Sequence, residues 1–306
     1  MFDVLLPMAG LILCGVAWKV LRPAALSAAE TRRVLTSLVY YLLLPALVLT
    51  VLWDAPLGRR TLVIAGSAAA GVLSGMALGY GVCRFCRRTR AQTGALILAT
   101  AFPNATYMGL PVLEALYGPW ARSIAVQYDL FACTPLLFSV GILVATRLGT
   151  GDGAERSMRQ HLLRIPALWA ALAAVLMNLS GLPQPELVRG LLGLLERGVV
   201  PLMLFAIGLS LQWERSRWHL LPSLLPVVGL KLLVIPAVVL WLAAGLGFSG
   251  DLRAGVVLEA AMPTMVLGLV LCERFRLDVG LYAAAVTLTT ASSLVTLPLW
   301  YAWLET

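Results

Sequence analysis

Long apolar runs follow one another from one end of this chain to the other, and that pattern leaves few folds open. They cover roughly residues 2–21, 34–53, 61–82, 92–116, 123–147, 163–181, 191–212, 220–246, 253–272 and 279–303. Each is close to the roughly 20 residues that carry an α-helix across the hydrocarbon core of a bilayer. Inside lipid there is no water to take up backbone polar groups, so only helices and closed barrels can span. Barrel strands are short and alternate in polarity. These runs are longer and apolar throughout, so they are read as helices. Composition agrees: 60% of the 306 residues are hydrophobic and 12% charged, against about 25% charged in a soluble domain. So few charges cannot clothe a water-facing surface. The expected fold is an all-α integral membrane protein of about ten transmembrane helices, with no length left for a soluble domain.

The charges that remain are unevenly placed. Alternate loops hold Lys19, Arg22, Arg32, Arg33; Arg84, Arg87, Arg88, Arg90; Arg147, Arg156, Arg159, Arg164; Arg215, Arg217; and Arg274, Arg276. The other loops hold only Arg59, Arg60, Arg122, Arg189, Arg197 and Arg253, and Lys231 lies within an apolar run. The positive-inside rule places the richer set in the cytoplasm. Both termini then lie outside, which requires an even number of spans. The net charge of +8 is thus read as membrane orientation, and with no basic run interleaved with aromatics it gives no support for nucleic acid. The first run lacks a basic leader segment and an A-x-A site, so it is read as a retained helix. Cys83 and Cys86 form a C-x-x-C pair without a second pair or a nearby histidine, and are read as packing residues.

The longest polar connector, 149–161, falls at mid-chain. Landmarks on its two sides match at nearly one offset: Pro7 with Pro166, Arg33 with Arg189, Pro45 with Pro201, and Ala101-Phe102-Pro103-Asn104 with Ala261-Met262-Pro263-Thr264. This divides the chain into residues 1–148, a cytoplasmic linker 149–161, and residues 162–306. Five helices in each half make the second half run opposite to the first, an inverted repeat of the kind common among secondary transporters.

The strongest local signal is Pro103, Asn104, Thr106, Gly109 and Pro111 crowded into the middle of the fourth run. Proline removes a backbone donor and clashes with the preceding turn, so the helix should break. The freed backbone groups must then line a cavity or meet protein. Pro263 and Thr264 stand at the matching place in the ninth run. A pair of interrupted helices in corresponding positions is the best pointer to a transporter's midplane site; the plainer reading is a pair of kinks in packed helices. Four ionisable residues fall within runs: Asp129, Lys231, Glu259 and Glu114. Intramembrane charges are costly and by default functional. Lys231 could neutralise an anionic substrate. Asp129 could carry a proton or pair with Lys231, and Glu259 stands beside the second break. A buried structural ion pair is the alternative. Glu196-Arg197 is read as an interfacial anchor. No metal-ligand spacing, nucleotide-binding loop or nucleophile motif is found, so no cofactor, metal or enzymatic activity is expected.

The run from Phe102 to Pro111, the block from Ala261 to Thr264 continuing to Leu294-Val295-Thr296-Leu297-Pro298, and the Lys231 to Pro236 spacing resemble the auxin efflux carrier family, which includes bacterial malate permease-like proteins and plant PIN-type carriers. The resemblance spans the whole chain. It implies a fold like the sodium/bile-acid symporters, with broken helices 4 and 9 crossing. It also implies a scaffold of helices 1, 2, 6 and 7, a mobile transport domain of helices 3–5 and 8–10, and a homodimer joined through the scaffold. Substrate would sit near the crossover, at Pro103, Asn104 and Pro263. The long cytoplasmic loop of some plant carriers is absent, which favours a bacterial-type member in a bacterial inner membrane.

The sequence is therefore read as a secondary transporter of small organic anions, auxin-like or dicarboxylate, working by elevator-type alternating access. Pro103, Asn104, Thr106, Pro263, Thr264 and Lys231 are the expected substrate contacts. Asp129 and Glu259 are the expected ion- or proton-coupling residues. The rivals are a Na⁺- or H⁺-coupled symporter of the bile-acid type and a membrane-embedded ligand sensor.

Overall fold

A computed structural model describes residues 2–23, 26–150, 165–211 and 221–305. The linker 149–161 lies mostly outside these residues, as do Arg156, Arg159, Arg164, Arg215 and Arg217. The described residues form helices: α1 (Phe2–Leu21), α2 (Ala28–Trp53), α3 (Arg59–Phe85), α4 (Arg90–Ala101), α5 (Leu110–Tyr117), α6 (Pro119–Leu148), α7 (Pro166–Leu179), α8 (Glu186–Ser210), α9 (Leu221–Gly245), α10 (Gly250–Ala260), α11 (Gly268–Arg274) and α12 (Val279–Leu304). Six of them, α2, α3, α6, α8, α9 and α12, are long and apolar enough to cross a membrane, and no strand occurs among the described residues. Two further apolar helices, Leu5–Leu21 within α1 and α7, are shorter. The fourth and ninth apolar runs are each interrupted, between α4 and α5 and between α10 and α11.

Polarity is distributed as lipid requires. Large apolar side chains such as Leu13, Leu62, Leu187 and Trp241 face outward, while Thr100, Gln127, Lys231, Glu259, Thr289 and Ser293 are buried. Helix association in lipid rests on close packing and internal hydrogen bonds, because lipid tails are as apolar as leucine. The α1–α8 contact shows the consequence. Gly15 lies so close to α8 that a methyl group there would meet the Phe205 carbonyl and come within 3.0 Å of the Gly208 Cα; one at Gly208 would meet the Ile12 carbonyl. Two glycines let the two backbones touch.

Prolines set the local irregularities. Pro45, Pro111, Pro135 and Pro236 each follow closely on a π-helical turn, at Val39–Leu43, Ala105–Gly109, Asp129–Cys133 and Leu230–Val234. A widened turn relieves the clash of the proline ring with the carbonyl a turn earlier. Asp129 and Lys231 lie in two of these turns, and both are buried.

Two groups of helices result. In the first, α8 packs on α1 and α2, and α7 packs on α2; in the second, α3, α4, α6, α9, α10 and α12 pack on one another. The groups meet where α8 passes the turn Ala105–Gly109, where α2 meets the first turns of α6, and where α1 meets α5.

Candidate functional site

The two breaks meet each other. Chain leaving α4 becomes extended at Phe102, and Pro103 pairs antiparallel with Thr264 in a single β-bridge. The Asn104 amide donates to the Pro263 carbonyl at 2.8 Å, and the Met265 amide to the Phe102 carbonyl at 3.0 Å. Each break thus supplies the partners that the other lost, which is how irregular backbone is tolerated at membrane depth. Side chains complete the junction. The Thr264 hydroxyl donates to the Ala99 carbonyl at 2.8 Å, the Thr264 amide to the Thr289 hydroxyl at 3.1 Å, and the Tyr282 hydroxyl to the Met265 carbonyl at 2.6 Å. Thr264 is fully buried and serves the crossing itself.

On one side of the crossing is a cavity of about 40 Å³, room for a few water molecules. Asn104, Thr106, Tyr107, Asp129, Thr134 and Met265 line it from the second helix group; Tyr40, Leu44, Ile165 and Ala167 line it from the first. The Asp129 carboxylate accepts hydrogen bonds from the Thr106 hydroxyl and from the Thr134 hydroxyl, the latter at 2.9 Å. Asp129 forms no ion pair with Lys231 among the described residues; two hydroxyls take the place of the cation considered from sequence.

Lys231 and Glu259 lie deeper, with no exposed surface. The Lys231 ammonium donates to the Ala260 carbonyl at 3.3 Å. It thereby sits at the C-terminal end of α10, where the helix dipole favours a cation. Trp300 fixes the adjoining π turn through its indole N–H to the Leu232 carbonyl at 2.7 Å. Neither Glu259 oxygen has a hydrogen-bond partner among the described residues. The carboxylate rests directly against Gly109, where a Cβ would collide with both oxygens. Only glycine leaves room there.

Of the residues singled out from sequence, Asn104, Thr106 and Asp129 line one cavity. Pro103, Pro263 and Thr264 form the crossing backbone beside it. Lys231 and Glu259 stand at the end of α10, outside the cavity lining. Sequence reasoning did not single out Tyr40, Tyr107, Thr134, Thr289 and Tyr282, which carry no break or charge to mark them. The Glu196 carboxylate pairs with Arg122 at 2.8 Å, and the Arg122 Nε lies 3.8 Å from Glu114.

The profile of a family described as membrane transport protein matches residues 8–301. An uncharacterized transporter of the archaeon Methanothermobacter thermautotrophicus is 33% identical over 95% of this chain and 94% of its own. The uncharacterized transporter YfdV of Escherichia coli K12 is 22% identical over 72% of this chain and 71% of its own. A probable auxin efflux carrier component 5b of rice is 24% identical over 65% of this chain and 64% of its own. A family match spanning residues 8–301, on a helical protein whose two interrupted segments interlock beside a lined cavity, places this chain in the membrane transport protein family of auxin efflux carriers, as a multi-pass membrane transporter and not an enzyme.

Proposed function

We propose that the chain is a secondary carrier of small organic anions, working by elevator-type alternating access. In this reading α4 with α5, and α10 with α11, each count as one span. The protein then has ten spans in two inverted halves, with both termini outside the cytoplasm of a bacterial cell. Helices α1, α2, α7 and α8 form the scaffold, through which two copies associate, and the remaining helices carry substrate. The observation that carries the reading is the cavity at the crossing, walled by one helix group on one side and by the other group on the other. At about 40 Å³ it is too small for an organic acid, since ligand pockets run to roughly 300–1,000 Å³. Substrate must therefore part the two groups, and a carrier whose groups slide against each other does that.

Asn104 would hydrogen-bond the carboxylate, and Thr106 would do so by turning its hydroxyl from Asp129 to the substrate, with Pro103, Pro263 and Thr264 fixing the backbone around it. Lys231 supplies positive potential from behind the crossing, its charge held at the end of α10. An ionised Glu259 without partners at zero exposure is costly, so a proton or a cation accompanies it. Asp129 and Glu259 are thus assigned to coupling, to H⁺ or to Na⁺. The test is flux into proteoliposomes of labelled malate and indole-3-acetate under imposed proton and sodium gradients. Asn104→Ala and Lys231→Ala proteins that fold and insert normally should lose at least tenfold in rate. Glu259→Gln should uncouple flux from whichever gradient drives the wild type. Normal rates in both alanine variants would defeat the reading.

A further inference from the structure

A second cavity, of about 520 Å³, lies away from the crossing. Met8, Leu47, Leu110, Pro111 and Val200 give it apolar walls, and Glu114, Arg122, Glu196 and Arg197 give it charge. Its volume is in the range of a small-molecule site. Arg122 opens α6 in one helix group, and Glu196 and Arg197 belong to α8 in the other. The Arg122–Glu196 pair, at 2.8 Å and with both side chains mostly buried, therefore ties the two groups together. Arg122 is not saturated: its Nε–H has no hydrogen-bond partner among the described residues, and Glu114 stands 3.8 Å away. Arg197 is exposed and forms no ion pair among the described residues. Two guanidiniums, one with a spare donor, thus face an apolar-walled space. Guanidinium is the side chain best matched to a carboxylate, which it can hold through two parallel hydrogen bonds.

We infer that this cavity is a second binding site, for an amphipathic carboxylate whose anionic end displaces Glu196 from Arg122 while its apolar part lies against Met8 and Val200. Binding there breaks the Arg122–Glu196 ion pair that bridges the two groups at this cavity, so occupancy loosens their contact there. The site rests on the organic-anion reading for its ligand class but not on the crossing for its geometry.

The experiment uses the full-length protein in proteoliposomes with exposed Cys14 and Cys86 replaced by alanine. Ala115→Cys, an exposed position lining the cavity, is the reporter. N-ethylmaleimide is the reagent, because it is neutral and does not itself respond to Arg122. Indole-3-acetate should slow labelling at least threefold, and indole-3-acetamide, its uncharged counterpart, should not. Protection should vanish in Arg122→Gln and shift to lower concentrations in Glu196→Gln, a gain that misfolding cannot produce. It should persist in Asn104→Ala, whose lesion is at the crossing. Equal protection by acid and amide, or unaltered protection in both Arg122→Gln and Glu196→Gln, would overturn the site. Protection without flux of any carboxylate would sink the transport reading and leave the site standing.

Discussion

At the scale of single residues, the contact between Glu259 and Gly109 is the most sharply defined. The carboxylate lies where the first side-chain carbon of any other residue would be. Gly109→Ala should therefore force Glu259 off its position, at an overpacking cost of about 1–3 kcal/mol, read as a lower apparent melting temperature in detergent. Glu259→Ala removes the obstacle, so the double variant should recover most of that loss; an unshifted melt in Gly109→Ala would show that the carboxylate does not rest there. A second expectation concerns Asp129. Thr106→Val keeps the shape but takes away one of its two hydroxyl donors, and an unmet buried acceptor costs about 1–3 kcal/mol. Thr106→Ser keeps the donor and should retain stability that Thr106→Val loses in the same melt. Neither contact could be read from sequence. Glu259 and Gly109 are far apart along the chain, and nothing at Gly109 distinguishes a residue needed for space from one beside a helix-breaking proline. Asp129 and Lys231, both buried and both charged, invited pairing in the sequence; only the fold shows that a hydroxyl pair holds the one and a helix end the other.

Elements were more legible, for a physical reason: length and polarity decide what can cross a bilayer, and proline decides where a helix must yield. The crowding of Pro103 and Pro111 marks the interruption between α4 and α5, and Pro263 marks the one between α10 and α11. Boundaries were less visible. Hydropathy starts the second run at residue 34, yet α2 begins at Ala28, with Ser27 and Glu30 closing a reciprocal cap. Its first turns carry Glu30, Arg32 and Arg33 and bury nothing, so hydropathy does not register them, whereas the capping residues do. What sequence patterning cannot supply is which helices touch. The Gly15–Gly208 contact between α1 and α8 is a case, since both glycines lie in uniformly apolar stretches. Gly15→Val or Gly208→Val sets a branched side chain against backbone that cannot swing aside, and should lower the folded yield and the apparent melting temperature. Gly10→Val, on the same helix with nothing within 4 Å of the added carbon, should leave both unchanged. Equal effects at Gly10 and Gly15 would mean that valine disturbs α1 itself and not its fit to α8.

For the molecule as a whole, the issue is whether the two helix groups move as bodies. Each is held internally by packing such as α1 on α8 or α3 on α4, while among the described residues the contacts between them include α8 against the turn Ala105–Gly109, α2 against α6, α7 against the Asp129–Cys133 turn of α6, α1 against α5, and the Arg122–Glu196 pair. Both cavities lie along this boundary. A boundary lined with cavities and bridged by an ion pair has fewer packed contacts to break than a continuous core, and interfaces of that kind rearrange as discrete units. Arg122→Cys with Glu196→Cys, in the background lacking Cys14 and Cys86, puts one thiol on each group at that bridge. A short bismaleimide joining them should abolish carboxylate flux, while either single cysteine treated with the same reagent should keep most of it. Joining them should leave indole-3-acetate able to stabilise the protein against heat wherever the crossing already faces the ligand, because binding to a held conformation needs no displacement. Flux that survives complete cross-linking would mean that substrate passes without relative motion of the groups, and the crossing would then have to act as a fixed pore rather than a moving carrier.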